Sequence, residues 1–193
     1  MLRFRTEVDA AARDILERSR PVDWVRGSFV RVGLHIRRGD FLDRHWSEYG
    51  LTVADRGFVN HAVDYVTSKL SRIQLVVATD DPQWSGDVLR ERFIRSASGP
   101  NCVVQSTSGF VSMTDSQSTA VVVSLNQSAG VDLALLVGCS AVVVTAGSFG
   151  WWAAWLANVS TVVYHERWSR VGSRFSREFD HRRYFPPHWT PLR

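Results

Sequence analysis

Short, continuously apolar runs recur along this chain, and each stops at a polar or small-residue cluster. Residues 29–36 include Val30, Val32, Leu34 and Ile36; residues 73–79 read Ile-Gln-Leu-Val-Val-Ala-Thr; residues 141–145 read Ala-Val-Val-Val-Thr; residues 161–164 read Thr-Val-Val-Tyr. A strand with one wet face alternates apolar and polar residues, whereas a strand covered on both faces does not. Between the runs lie segments of helical spacing. Residues 57–70 carry Phe58, Ala62, Tyr65 and Val66; a second segment opens at Pro82 and runs toward Phe93; residues 131–139 and 149–157 follow. A further helix over residues 6–18, with Val8, Ala11, Ile15 and Leu16 near one face, is closed by Pro21. Val103-Val104 reads as a short strand. Strands alternating with helices predict a doubly wound α/β domain around a parallel sheet.

Two stretches fall outside this pattern. Residues 41–56 are polar and aromatic and read as a loop over a strand end. Residues 106–128 are rich in Ser, Thr and Gln, with no pattern beyond Val121-Val122-Val123, and read as a loop insertion. The tail is aromatic and basic and includes Pro186-Pro187-His188-Trp189. With 193 residues, 45% of them hydrophobic, the whole chain fits one domain with a buried core.

In open α/β sheets ligands bind at the carboxyl ends of the strands. Three such ends carry polar clusters here: His35-Ile36-Arg37-Arg38-Gly39-Asp40, Thr79-Asp80-Asp81, and Thr145-Ala146-Gly147-Ser148-Phe149-Gly150. Taken alone, the last reads first as an ordinary strand-to-helix turn, since it lacks the Lys of a P-loop, and second as a phosphate cradle at a helix N-terminus. Arg37 and Arg38 diverge if the strand persists. One then reaches an anion while the other pairs with an acid, or both belong to a surface ion-pair cluster. Asp80-Asp81 reads as a metal or acid/base pair, or as a cap ahead of Pro82. The tripeptide Arg38-Gly39-Asp40 spells an adhesion signal, but it leaves a buried strand, not an exposed flexible loop. No Ser-His-Asp set or HExxH appears, and the histidines show no ligand spacing.

Bulk properties constrain partners only weakly. The formal charge is +4, and Lys69 is the only lysine among 23 basic residues. Arginine's planar fork suits phosphate, although base composition of the genome produces the same bias. Cys102 and Cys139 allow one disulfide, but Cys139 lies in an apolar run and reads as a buried thiol. Asn126-Gln127-Ser128 and Asn158-Val159-Ser160 fit the N-glycosylation acceptor pattern. No stretch is long and apolar enough to span a bilayer, and no signal-peptide core is visible at the start.

The run from Val32 to Asp40 resembles the HxRRGD hallmark of the α1,2-fucosyltransferases. Three further blocks follow in that family's order: Ala54-Asp55-Arg56, Asp132-Leu133-Ala134-Leu135-Leu136 with Cys139, and Gly147 to Leu156. The resemblance covers essentially the whole chain. It implies the C-terminal, Rossmann-like GDP-sugar-binding half of a GT-B-like enzyme. Such enzymes transfer L-fucose from GDP-fucose to the 2-hydroxyl of a terminal galactose, inverting and without a metal or other cofactor. The implied partners are GDP-fucose and a galactose-terminated glycan, with no nucleic acid. The implied setting is the Golgi lumen, with a membrane anchor and a further domain preceding this region. By the same resemblance Arg37 contacts the diphosphate, His35 lies against the nucleotide, Asp132 accepts from guanine, and Ser148 and Phe149 bind phosphate; Arg38 belongs to the same donor motif. The base that deprotonates the acceptor is unassigned: it lies outside this region or is Asp40. The alternative is a non-catalytic GDP-sugar or glycan-binding module built on this fold.

Overall fold

The computed structural model describes residues 3–21, 29–96, 103–106, 110–114 and 119–193. Cys102 lies outside them, as do residues 107–109 and 115–118 of the stretch expected to be a loop insertion.

Helix α1 (Thr6–Arg18) leads into strand β1 (Val30–Ile36). A 3-10 turn (Gly39–Leu42) and helix α2 (Arg44–Tyr49) follow, then helix α3 (Arg56–Lys69). Asp55 starts α3 by accepting the Phe58 backbone N–H at 2.7 Å, which satisfies a donor the helix leaves open. Strand β2 (Ile73–Thr79) and helix α4 (Pro82–Ser96) come next, then strands β3 (Val103–Ser106), β4 (Phe110–Thr114) and β5 (Thr119–Ser124). Helix α5 (Ala129–Val137), strand β6 (Ala141–Val144), helix α6 (Ser148–Ala157) and strand β7 (Val162–His165) complete the alternation. Two short helices, α7 (Arg174–Glu178) and α8 (His181–Tyr184), precede strand β8 (Thr190–Leu192).

All eight strands form one sheet in the order β3-β4-β5-β2-β1-β6-β7-β8. From β5 to β8 every neighbouring pair is parallel, six strands in all; β4 runs antiparallel between β3 and β5. The expected parallel α/β sheet is present. Strand β1 sits between β2 and β6, and Ile36 pairs with Thr79 while His35 pairs with Val144. The carboxyl ends of these three strands therefore finish level.

Both faces are covered. Val32, Leu34 and Ile36 of β1 join Leu75, Val77, Val121 and Val143 beneath α3 and α4. On the other face Val76 and Val122 pack against α1 and α5, and Val142, Val144 and Val162 pack near α6 and the aromatic tail. Gly33 lets α5 close on β1: a Cβ there would lie 3.0 Å from Leu136. Cys139, also in this contact, is a buried thiol whose Sγ donates to the Leu135 carbonyl at 3.2 Å; burial pushes its pKa up to about 12.

Two expectations need correction. Residues 106–128 are not a loop insertion: they contain β4 and β5, and β5 is an interior strand buried along its length. Its apolar centre is only three valines long, and its ends, Thr119 and Ser124, are polar yet buried, so composition disguised it. Residues 41–56 are not simply a loop, because they hold α2 and the end of the 3-10 turn. Their aromatics Phe41, Trp46 and Tyr49 pack against the third apolar cluster. The tail contributes edge strand β8, reached through a cluster in which Tyr164 stacks on Phe185 at 3.8 Å and Trp168 meets Phe179 edge-on at 5.0 Å.

One fully buried polar side chain ties α1 to the sheet. Gln74 accepts from Arg31 Nε at 3.1 Å and donates to the Ser19 carbonyl at 2.8 Å. Replacing it by Ala strands both partners inside the protein. Gln74→Ala is expected to cost about 2–3 kcal/mol, read as a lower urea midpoint with an unchanged slope.

Candidate functional site

The site grows from the end of β1. Side chains on a strand alternate between faces, and β1 continues just far enough to send its two arginines opposite ways. Arg37 emerges on the α5–α6 face. Its backbone N–H donates to Thr145 Oγ1 at 2.9 Å, tying the end of β1 to the end of β6. Its guanidinium donates to Asp80 Oδ2 at 2.6 Å and to Asp40 Oδ1. It also lies over the Phe41 ring, 5.1 Å from the centroid. Arg38 turns to the α3–α4 face. Its Nε meets Asp81 at 3.2 Å, Nη1 donates to the Ala54 carbonyl at 3.1 Å, and the guanidinium lies 3.7 Å over Trp84. With only 12% of its side chain exposed, it is committed to structure.

The acidic pair after β2 divides its work in the same way. Asp80 takes Arg37 on one oxygen and the Arg38 backbone N–H at 2.8 Å on the other. Asp81 caps α4 through the Trp84 N–H at 3.2 Å and pairs with Arg38. The capping reading holds for Asp81, whereas Asp80 is engaged as the ion-pair partner of Arg37. Gly39 is required beside them, since a Cβ there would fall 2.5 Å from Asp80.

Two helices point their N-termini at this region. Gly147, at φ +87°, precedes α6, a backbone conformation that side chains other than glycine rarely adopt. Its open side faces Arg37, whose Cγ lies 3.8 Å from the position of a Cβ. Ser148 is the first residue of α6, where backbone N–H groups lack helical partners and favour anions. Phe149 lies 5.2 Å from the His35 ring and packs, as does Leu133 of α5, against the cluster of Ala78, Leu136 and Ala153. Helix α5 is capped by Ser128 and carries Asp132 in its first turn. Asp132 accepts from the Ser124 hydroxyl at 2.6 Å, which anchors it over the end of β5. Burial raises its pKa above the ordinary carboxylate range, and the Ser124 bond opposes that rise.

His35 lies beneath these groups, buried, with Nδ1 unpartnered. A Cβ at Gly150 would come within 2.4 Å of that nitrogen, so α6 approaches β1 only because residue 150 is glycine. Burial, helped by the Arg37 charge, lowers the His35 pKa to about 3. The imidazole is therefore neutral at ordinary pH and brings no charge to an anion. Among the described residues no group of three or more His, Cys, Asp or Glu side chains is arranged to hold a metal ion.

A basic group and a helix N-terminus at adjoining strand ends narrow the chemistry to anions, and comparison with known proteins narrows it further. The model of glycosyl transferase family 11 matches residues 17–108 and 110–193. The chain belongs to this family. It is 33% identical over 161 residues to the cattle (Bos taurus) galactoside 2-alpha-L-fucosyltransferase SEC1, covering 83% of this chain and 38% of that protein. It is 30% identical over 161 residues to the rat (Rattus norvegicus) galactoside alpha-(1,2)-fucosyltransferase 2, covering 83% of this chain and 39% of that relative. The chain thus spans about two-fifths of the length of these curated relatives. No solved structure matches it.

For this family 11 chain the structure brings His35, Arg37, Asp40, Ser148 and Phe149 together at the ends of β1 and β6. Asp132 stands apart from them at the end of β5, held by Ser124, on a helix whose Leu133 packs against the same small apolar cluster as Phe149. Arg38 is not brought in, being directed to the opposite face. Sequence reasoning missed Asp80 as the partner of Arg37, Ser124 as the anchor of Asp132, and Gly150 as the seat of His35. A signal for the first existed: two apolar runs of similar length end in opposite charges, as level parallel neighbours do. Asn126 and Asn158 both lie exposed in left-handed turns, at φ 55° and 49°. Cavities of about 710 and 470 Å³ lie elsewhere, beside the tail, and none of the site residues lines either.

The buried histidines make stability depend on pH. His35 at about 3 and His165 at about 4 both titrate below the ordinary value of 6.5. Between those values and 6.5 the unfolded chain binds more protons, so acid favours unfolding. The urea midpoint is expected to fall as pH drops from 7 to 4.5. In His35→Gln that fall is expected to be shallower, measured as the slope of the midpoint against pH.

Proposed function

We propose that this chain is the donor-binding part of a galactoside 2-alpha-L-fucosyltransferase with a two-domain, GT-B-like architecture. It binds GDP-fucose at the carboxyl ends of β5, β2, β1 and β6, and the enzyme passes L-fucose to the 2-hydroxyl of a terminal galactose with inversion and without a metal. The observation that carries this reading is the placement of Arg37 against Gly147, at the mouth of the α6 N-terminus.

The chemistry follows from charge. As the bond to fucose breaks, negative charge grows on the GDP diphosphate. A guanidinium held in place by two carboxylates, together with the unpaired N–H groups of α6 and the Ser148 hydroxyl, is oriented beforehand to stabilise it. Such preorganisation supplies the role a metal ion plays elsewhere. His35 and Phe149 form the neutral wall against which the nucleotide lies. Asp132, anchored by Ser124 through one oxygen, accepts guanine N–H groups, a pattern adenine does not complement. Arg38 shapes the loop from behind. Asp40 is engaged by Arg37 and serves the loop, so we assign it no role as base.

We place the enzyme in the Golgi lumen, as its resemblance implies, with Asn126 and Asn158 available to N-glycosylation. No described helix is long and apolar enough to cross a membrane; tethering is assigned to an anchor outside these helices.

Titration calorimetry with GDP, GDP-fucose and ADP tests the donor site. GDP is expected to bind and to keep its affinity in EDTA. Arg37→Ala is expected to lose about 2–3 kcal/mol, roughly 30–150-fold in Kd. No GDP binding by the folded chain would sink the proposal. Binding without fucose transfer in the full-length protein would favour a non-catalytic GDP-sugar module. For the guanine contact, Asp132→Asn is expected to narrow the preference for GDP over ADP by about tenfold or more, roughly 1.4 kcal/mol.

A further inference from the structure

The cavity of about 710 Å³ lies at the carboxyl ends of β7 and β8, bordered by Glu166, Arg167, Arg182 and Arg193. Arg193 is paired with Glu166 across the two strand ends. Arg167 and Arg182 are exposed, and neither guanidinium has a hydrogen-bond or ion-pair partner among the described residues. Behind these charges the lining is apolar and flat-sided: Tyr164, Phe185 and Trp189, with Pro186, Pro187 and Pro191.

Each half of this lining selects a ligand feature. Unpartnered guanidinium forks match the paired oxygens of a carboxylate or a sulfate. Pro186, Pro187 and Pro191 offer C–H surfaces suited to a sugar ring rather than to a flexible chain, beside the mostly buried rings of Tyr164, Phe185 and Trp189. The volume falls within the range of small-ligand sites, roughly 300–1,000 Å³. The groove also opens on the same edge of the sheet as Arg37. Three strand steps separate β1 from β8, about 14–15 Å at the usual strand spacing, a distance that an oligosaccharide of several units has the length to span.

The geometry points to an acceptor subsite for an acidic saccharide: the groove takes a sugar unit bearing a carboxylate or sulfate, while the galactose of the same glycan lies near the ends of β1 and β6. The word acceptor rests on the fucosyltransferase reading; the recognition of an acidic sugar does not.

The probes are a galactose-terminated tetrasaccharide of two N-acetyllactosamine units, the same tetrasaccharide sulfated at O6 of its inner N-acetylglucosamine, inorganic sulfate, and a short single-stranded RNA. Binding to the chain, with GDP present, is followed by calorimetry and by the tryptophan signals in NMR. The sulfated sugar is expected to bind at least tenfold more tightly than the neutral one. The double variant Arg167→Gln, Arg182→Gln is expected to erase that difference and leave GDP affinity unchanged. Arg167→Lys, which keeps the charge and loses the fork, is expected to erase it in part. Circular dichroism checks that each variant is folded, as expected for two surface positions. Equal affinity for the two sugars, or a difference that survives the double variant, overturns the proposal. So does inorganic sulfate that binds as tightly as the sulfated sugar, or RNA that outcompetes it. If GDP fails to bind while the arginine-dependent preference persists, the donor reading fails and the acidic-sugar groove stands.

Discussion

Everything at the site depends on one geometric constraint: β1 is covered on both faces, and its side chains alternate between them. Val32, Leu34 and Ile36 go to the layer under α3 and α4. Gly33, His35 and Arg37 go to the layer under α5 and α6, where Leu136, Gly150 and Gly147 lie against them in turn. A shift of one residue would bury Arg37 under α3 and turn Ile36 toward the α6 N-terminus. The register with β2 and β6 prevents that slip, because Arg37 and its acidic and hydroxyl partners all sit one step beyond level strand ends. The two neighbouring arginines are therefore not a duplicated function. One faces the site and the other braces the loop from behind.

That arrangement sets the electrostatics of the proposed reaction. Arg37 is already shared between Asp40 and Asp80. A diphosphate arriving there exchanges with these carboxylates, so part of its binding energy replaces existing ion pairs. In return the guanidinium is held in one orientation before the ligand arrives. His35 contributes by staying neutral: a charged imidazole beneath Arg37 would be repelled by it and starved of solvent. Asp132 lies at the other end of the site, where burial resists ionisation while Ser124 and the first turn of α5 favour it. Such a balanced carboxylate is more responsive to hydrogen-bond donors in a ligand than an exposed one.

Much of this was legible before any coordinates. The apolar runs gave the strands of the central sheet to within a residue or two, because burial on both faces leaves an uninterrupted signature. Helix starts at α3 and α5 were read one or two residues late, because the capping roles of Asp55 and Ser128 were not recognised. What escaped was what composition hides. Strand β5 carries Thr119 and Ser124 into the interior, and β8 is three residues long with a proline in the middle. Their places are set by neighbours already in the sheet rather than by their own patterns. The site showed the same split. The ends of β1 and β6 advertised themselves by charge and by glycine, whereas the opposite charges ending β1 and β2 became a pairing of Arg37 with Asp80 once β2 was seen as the level neighbour of β1.

Pro191 lies at the middle of β8, the strand that closes one side of the sheet. The Leu192 carbonyl accepts from Glu166 N–H next to β7, so residue 192 faces inward and residue 191 turns its backbone outward. The outer rim therefore lacks the one amide that an approaching strand would need at its centre. A parallel sheet with an open flank is a template for a stray chain to extend, and slow-folding parallel sheets are exposed to that hazard for longer. In a crowded compartment full of partly folded polypeptides, this short, proline-interrupted rim keeps the sheet at its own eight strands on that side.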